Sequence, residues 1–394
     1  MAIDIASFDP LSEDLAANHW ERLSELRRCP VGKSELYGGL WFLARYDDVL
    51  DAARDWQTYS SAEGSSPVPL QADGGIKLMP ISTDPPLQRE LRRLIDRHFG
   101  PKKMPDAQPA VRNRAIALIE RFQSRGTCDF VAEFAVPYPA ESFFDFAFGV
   151  KPDTTGQVMG WIYQILRAPH EAKGAVQAFF AWTKGLLDER RAGHPRDDVL
   201  NSLLNGSVEG RELTDPERMM VIMNLIIGGV ETTTQAIGNI VYHFSTIPGL
   251  QDRLDRNRDL IPAAVEEFLR FEPPSSLRGR VATNSVQVGC AHINRKDRVV
   301  LVYGAANRDP AKYESPDEIV IDRFTAAATP HLTFGAGPHR CPGSHLARLE
   351  LCTAVEEVLN RLKDLKLEAD EVTYSAGLTR GIVSLPLTFR PYHR

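Results

Sequence analysis

Cys341 stands in a stretch rich in glycine and proline, with Phe334, Gly335, Gly337, His339, Arg340, Pro342 and Gly343 around it and an apolar periodic segment directly after it. Glycines let a backbone pass close beneath a flat ligand where a Cβ would obstruct it. Pro342 is suited to the start of the helix expected next. A thiol at a helix start faces free N–H groups and the positive end of the helix dipole, which favour the thiolate, the form that ligates metals and attacks electrophiles. Two readings suit such a loop: Cys341 as a thiolate beneath a flat ligand, or as a hydrolytic nucleophile. A third reading is a small buried thiol that only packs.

A second group lies in the segment that Thr214 and Glu217 open as a capping box and that apolar residues sustain to about 247. At 1.5 Å per residue that helix is roughly 48 Å long. Its middle holds Gly228, Gly229, Glu231 and Thr232. Glycine inside a helix costs about 1 kcal/mol relative to alanine, so two of them require a reason, such as a large cofactor lying against the helix. Asn224, Gly228 and Thr232 are four apart and form one stripe, with Glu231 beside it. Without any chemistry, the glycines would serve close packing, Thr232 would bond its own i−4 carbonyl, and Glu231 would be solvated.

Taken together, these segments resemble the cytochrome P450 family. Its haem loop has Phe, Gly, Gly, His, Cys and Gly at the positions of Phe334, Gly335, Gly337, His339, Cys341 and Gly343. The resemblance implies haem b, with Cys341 as the axial thiolate, which favours O–O bond cleavage. It places Gly228 against the cofactor and assigns Glu231 and Thr232 to proton delivery, because reduced dioxygen that is not protonated in place leaks away as peroxide. Glu231 stands where many bacterial members have the shorter Asp. Arg280, His339 and Arg92 are implied as partners of the two haem propionates, for which arginine is well suited. Gln88, where many members have His, can donate to a propionate but adds no charge. Glu267 and Arg270 are spaced i, i+3 on one helix face and match the family's Glu-x-x-Arg, with Arg323 as third member of a structural network.

The fold implied is mainly α with small β-sheets, a single cytochrome P450 domain over 1–394. The spacing predicts a long loop over 60–82, mostly helix from about 104 to 270, and short strands near 286 and 298. It also predicts a C-terminal edge strand or hairpin arm, because Pro386 is unsuited to a central position. The chain is similar to the camphor-hydroxylating branch, but Ile76 falls where those members have a Tyr that bonds the substrate ketone, which argues against camphor. Ile76, Leu78, Ile81, Ile227, Leu277 and Leu378 are expected to form an apolar pocket wall, with Asn224 either a polar handle or a bond to a neighbouring helix. A terpenoid or norisoprenoid of modest size is the expected substrate.

Composition is compatible with this reading. With 43% hydrophobic and 25% charged residues the chain is that of an ordinary globular protein, and a net charge of −6 gives no reason to expect nucleic acid. Five scattered cysteines without a paired framework suit a reducing compartment. The most apolar run, 219–230, is short and interrupted by Asn224, and the acidic N-terminus is broken by Pro10, so a cytoplasmic monomer without a membrane anchor is expected. The sequence carries no flavin fingerprint and no cysteine set for an iron–sulfur cluster, so electrons would come from a [2Fe-2S] ferredoxin and its NAD(P)H-dependent reductase. Arg89, Arg92, Arg93, Arg97, Lys102, Lys103, Arg340 and Arg348 are candidates for its docking patch. Two other readings are a peroxide-driven peroxygenase, whose members lack the acid and alcohol, and a haem-thiolate sensor, which needs no proton relay.

Overall fold

The computed structural model describes residues 5–69, 77–167, 171–193 and 195–392. Ile76 lies outside them. Helices dominate, and the helix Asp215–Thr246 runs through the middle of the molecule. Its start is the expected capping box: the Thr214 hydroxyl accepts from the Glu217 N–H, and the Glu217 carboxylate accepts from the Thr214 N–H at 2.7 Å. By length and composition this helix could cross a membrane, contrary to the sequence expectation, with a stretch of mean hydropathy 1.2; but 61% of that stretch is buried inside this fold, the pattern of a core helix.

The helix divides two apolar clusters. Val111, Leu118, Phe122, Phe134 and Leu359 belong to the one on its C-terminal half, and Phe99, Phe143, Phe144, Phe179 and Leu200 to the one on its N-terminal half. A five-stranded sheet lies apart, with strands in the order Val31–Ser34, Leu40–Leu43, Arg298–Val302, Leu277–Ala282, Tyr59–Ser60. Residues 61–69 and 77–86 form neither helix nor strand, in line with the expected loop.

The C-terminal strand Pro386–Pro391 is not at an edge. It sits between Leu362–Leu367 and Thr127–Asp129 in a three-stranded sheet. Pro386 is tolerated because it is the strand's first residue, where its carbonyl accepts from the Glu368 N–H at 2.9 Å and no N–H is missed.

Two adjacent acids on the helix Ile261–Phe271 tie this scaffold to the Cys341 loop. Glu267 is wholly buried and accepts from Arg270 at 2.7 and 2.8 Å, from Arg323 at 3.0 Å and from the Val320 N–H at 2.8 Å. Glu266, on the other side, accepts two bonds from Arg348 at 2.6 and 2.7 Å and lies 3.1 Å from His331. Burial raises the Glu266 pKa, but the hydrogen bonds of His331 and Arg348 outweigh it and bring the value to about 2. Burial lowers the His331 pKa, so the lasting partner near neutrality is the Arg348 guanidinium.

A folded-state value near 2 lies below the ordinary carboxylate value of 4.5, so this stabilisation is present above pH 4.5 and is lost as pH falls towards 2. Glu266→Gln should reduce unfolding free energy at pH 7 by about 1–3 kcal/mol and flatten the acid limb of the stability curve. Urea unfolding measured across that pH range checks this, and an unaltered acid limb would exclude the ion pair as its source.

Candidate active site

The pieces of chain that line the cavity include the long helix, the helix Leu87–Phe99, the strand Leu277–Ala282, the loop that carries Cys341 and the helix Ser344–Arg361 after it. Its volume is about 220 Å³.

The loop turns through two left-handed glycines, Gly335 at φ 66° and Gly337 at φ 65°. Gly337 is doubly required, since a Cβ there would lie 2.5 Å from the Ala53 carbonyl oxygen. Gly343 has φ −79° and needs no such freedom; it is the N-cap of the helix Ser344–Arg361, so Pro342 lies just outside that helix and not in its first turn. The Cys341 N–H donates to the Phe334 carbonyl at 2.8 Å, closing the loop, and Cys341 itself lines the cavity. Burial pushes the Cys341 thiol up, against the lowering pull of the Gly343 N–H and of Arg92, Arg340 and Arg348. The helix start and nearby cations therefore do not make a thiolate unaided; a bound metal would. Among the described residues no group of three or more His, Cys, Asp or Glu side chains could hold a metal ion, so a metal at Cys341 must bring its other ligands with it.

On the long helix, Asn224, Gly228 and Thr232 all line the cavity, as their spacing requires. Asn224 makes no hydrogen bond to any described residue and is free to meet a ligand. The two glycines have different reasons. A Cβ on Gly228 would meet open space, whereas one on Gly229 would lie 2.4 Å from the Phe143 ring, so Gly229 serves helix packing. The Thr232 hydroxyl donates to the Gly228 carbonyl at 2.8 Å, and Thr232 lines the cavity. Glu231 is half-buried, lies outside the cavity lining and forms no hydrogen bond with the described residues.

At one end of the cavity, Gln88, Arg92, Arg280 and His339 come together. Arg92 donates from Nε to Asp96 at 2.6 Å and from Nη1 to the Pro338 carbonyl at 3.1 Å, and Arg280 donates to the Gly279 carbonyl at 2.7 Å. Burial, with Arg280 and Arg92 nearby, lowers the His339 pKa to about 3, so the ring is neutral, and its Nε2 is buried without a partner. The Gln88 amide nitrogen donates one of its two N–H groups to the Pro338 carbonyl at 2.6 Å, and Oε1 is buried without a partner. Unsatisfied buried polar atoms on a cavity wall call for a polar ligand group there.

The expected apolar wall is only partly assembled. Ile81 lines the cavity together with Ile95, Phe99, Phe143 and Leu225. Leu78 and Ile227 instead pack on the apolar cluster behind it. Leu277 and Leu378 line a separate cleft beside Leu15 and His19. For Leu277 the cause is strand alternation: Arg278 and Arg280 face the cavity, so Leu277 faces away. The inward position of Arg278 follows from the same alternation and could have been read from it.

A helical fold with a cysteine loop on one wall of its cavity and an alcohol-bearing helix on another is the arrangement of haem-thiolate enzymes. Residues 149–389 match the cytochrome P450 family. The steroid C26-monooxygenase of Mycobacterium tuberculosis strain ATCC 25618 / H37Rv is 30% identical, over 99% of this chain and 97% of its own length. Cytochrome P450 107B1 of Saccharopolyspora erythraea is also 30% identical, over 98% of this chain and 97% of its own. Among solved structures, cytochrome P450 CYP109Q5 from Chondromyces apiculatus superposes with a TM-score of 0.88 at 29% identity, covering 99% of this chain and 100% of that one. The chain belongs to the cytochrome P450 family of monooxygenases, whose cofactor is haem b.

The two glycines separate under substitution. Gly229→Ala should cost about 1–3 kcal/mol through its clash with Phe143, while Gly228→Ala should gain up to about 1 kcal/mol in helix propensity. Thermal or urea unfolding of both variants checks the difference, and equal effects would contradict the assigned packing.

Proposed function

We propose that the protein hydroxylates a small, largely apolar substrate at an unactivated C–H bond, using O2 and two electrons from a [2Fe-2S] ferredoxin. The observation that carries this is that Cys341 and Thr232 line one and the same cavity. Haem b held by a thiolate supplies dioxygen activation. Cys341 would ligate its iron. Gly228, where a Cβ would meet open space, would lie against the ring, while Arg280 and Arg92 would supply cations for the propionates and His339 the Nε2 atom that lacks a partner.

The protein's own part in the chemistry is to hold a proton at the right place. Thr232 presents its hydroxyl oxygen to the cavity, and Glu231, one residue earlier and half-buried, relays protons towards it. Asn224 orients a carbonyl or hydroxyl on the substrate. Electrons reach the Cys341 side. Of the eight residues proposed for docking, Arg97 and Lys103 are engaged by Asp197, Arg348 by Glu266 and Arg92 by Asp96. Arg89, Arg93, Lys102 and Arg340 are exposed and carry no ion pair among the described residues, and they would steer an acidic ferredoxin with an affinity that falls as salt rises.

The reduced, CO-bound protein should show the red-shifted Soret band of a thiolate-ligated haem, and Cys341→Ser should abolish that band; a wild-type spectrum without it would overturn the proposal. In a reconstituted system with ferredoxin and reductase, Thr232→Ala should keep that spectrum and divert most NADH-derived electrons to hydrogen peroxide. Unchanged coupling of NADH to product would remove Thr232 from proton delivery.

A further inference from the structure

Three arginines line the cavity, and only one has no partner. Arg92 bonds Asp96 and the Pro338 carbonyl, and Arg280 bonds the Gly279 carbonyl. Arg278 forms no hydrogen bond and no ion pair with any described residue, though it is half-buried and lines the cavity. A guanidinium carries five donors and no acceptor, so the protein leaves all five for something else. Elsewhere in this fold the buried arginines are satisfied: Arg270 by Glu267 and three carbonyls, Arg218 by the carbonyls of Leu203 and Leu204, Arg308 by that of Phe271.

The surroundings of Arg278 distinguish it from Arg280. Being two apart on one strand, they share a face and stand roughly 7 Å apart along it. Arg280 belongs to the end of the cavity where it and Arg92 act together on His339. Arg278 lies two residues closer in the chain to Pro274 and Ser275, which line the cavity with it. Haem b brings two carboxylates, and Arg280 and Arg92 match them in number. Arg278 is a third cation in a cavity whose lining also includes the apolar Ile81, Phe143 and Leu225.

We infer that Arg278 anchors a carboxylate on the substrate, so that the protein takes an organic acid with an apolar body, its acid group held on the strand and its hydrocarbon against the long helix. This rests on the haem-thiolate reading and narrows its substrate class. Charge-assisted pairing in a partly desolvated site makes the acid form bind about 10- to 100-fold better than a neutral analogue.

The test uses the holoprotein at pH 7.5 and a panel of carboxylic acids paired with their methyl esters, including decanoic acid and a bicyclic terpene acid, titrated by the low-spin to high-spin shift of the Soret band. At least one acid should bind 10-fold or more tightly than its ester, Arg278→Gln should erase that preference, and Arg278→Lys should keep part of it. The rate of haem loss to apomyoglobin should be the same in all three proteins. The inference is overturned if no acid outbinds its ester, if the preference survives in Arg278→Gln, or if Arg278→Gln sheds haem 10-fold faster, which would give Arg278 to a propionate. Failure of the haem-thiolate reading shows separately, as a missing red-shifted Soret band in the CO complex of the unaltered protein.

Discussion

The buried carboxylate of Glu267 is the constraint on which the site depends. The loop bearing Cys341 has almost no regular structure of its own, so its position must come from outside. Glu267 holds Arg270, and Arg270 in turn donates to the carbonyls of Asn307, Pro316 and Glu318 at 2.8 to 2.9 Å. Asn307 then grips the start of the loop: its side chain accepts from the Leu332 N–H at 2.6 Å and donates to the Thr333 hydroxyl at 2.9 Å, while Thr333 donates to the Leu269 carbonyl at 2.7 Å. One helix thus fixes the loop through both its side chains and its backbone. A buried ion pair is a poor source of net stability compared with apolar packing, but removing one partner costs about 3–5 kcal/mol. Its value here is positional, because guanidinium and carboxylate meet in a narrow set of geometries that apolar side chains would not enforce.

Glu266 completes the clamp from the other direction. Where Glu267 acts through residues before the loop, Glu266 binds Arg348 on the helix after it, and Arg348 also lies over the Phe334 ring at 4.4 Å. The two adjacent acids therefore grip both sides of Cys341. The thiol is held by covalent continuity between two fixed points.

Much of this was legible in the sequence where the chemistry is local. The Cys341 loop, the stripe of Asn224, Gly228 and Thr232, and the capping box at Thr214 are each defined by residues within one turn or one helix face, so spacing suffices to place them. What was not legible depends on partners distant in the chain. Glu266, 82 residues from Arg348, has no local mark that separates it from a solvated acid. Pro386 suggested an edge because its position within the strand could not be known. Leu277 and Leu378 failed as wall residues because hydrophobicity identifies buried positions without saying which cavity they face, whereas the alternation between Leu277 and Arg278 was a readable signal given too little weight. Gln88 shows a finer limit: nothing local to it announced that the distant Pro338 carbonyl would take one of its two N–H donors.

The long helix must serve both as spine of the core and as wall of the cavity, and the hydroxyl of Thr232 resolves the conflict. A wall residue that must handle protons needs a polar group, yet a polar group on a core helix tends to compete with the helix's own hydrogen bonds. Donation from Thr232 to the Gly228 carbonyl satisfies the hydroxyl within the helix. The bond is a neutral one, worth about 1 kcal/mol net, a small cost to the redirection of the proton that the proposed role would require. Gly228 makes this possible twice over, by supplying the carbonyl and by placing no side chain between that hydroxyl and the cavity. Alanine there would leave the helix more stable and the acceptor in place, and would fill the space the hydroxyl must address; the glycine is kept against helix propensity because the cavity, not the core, sets its requirement.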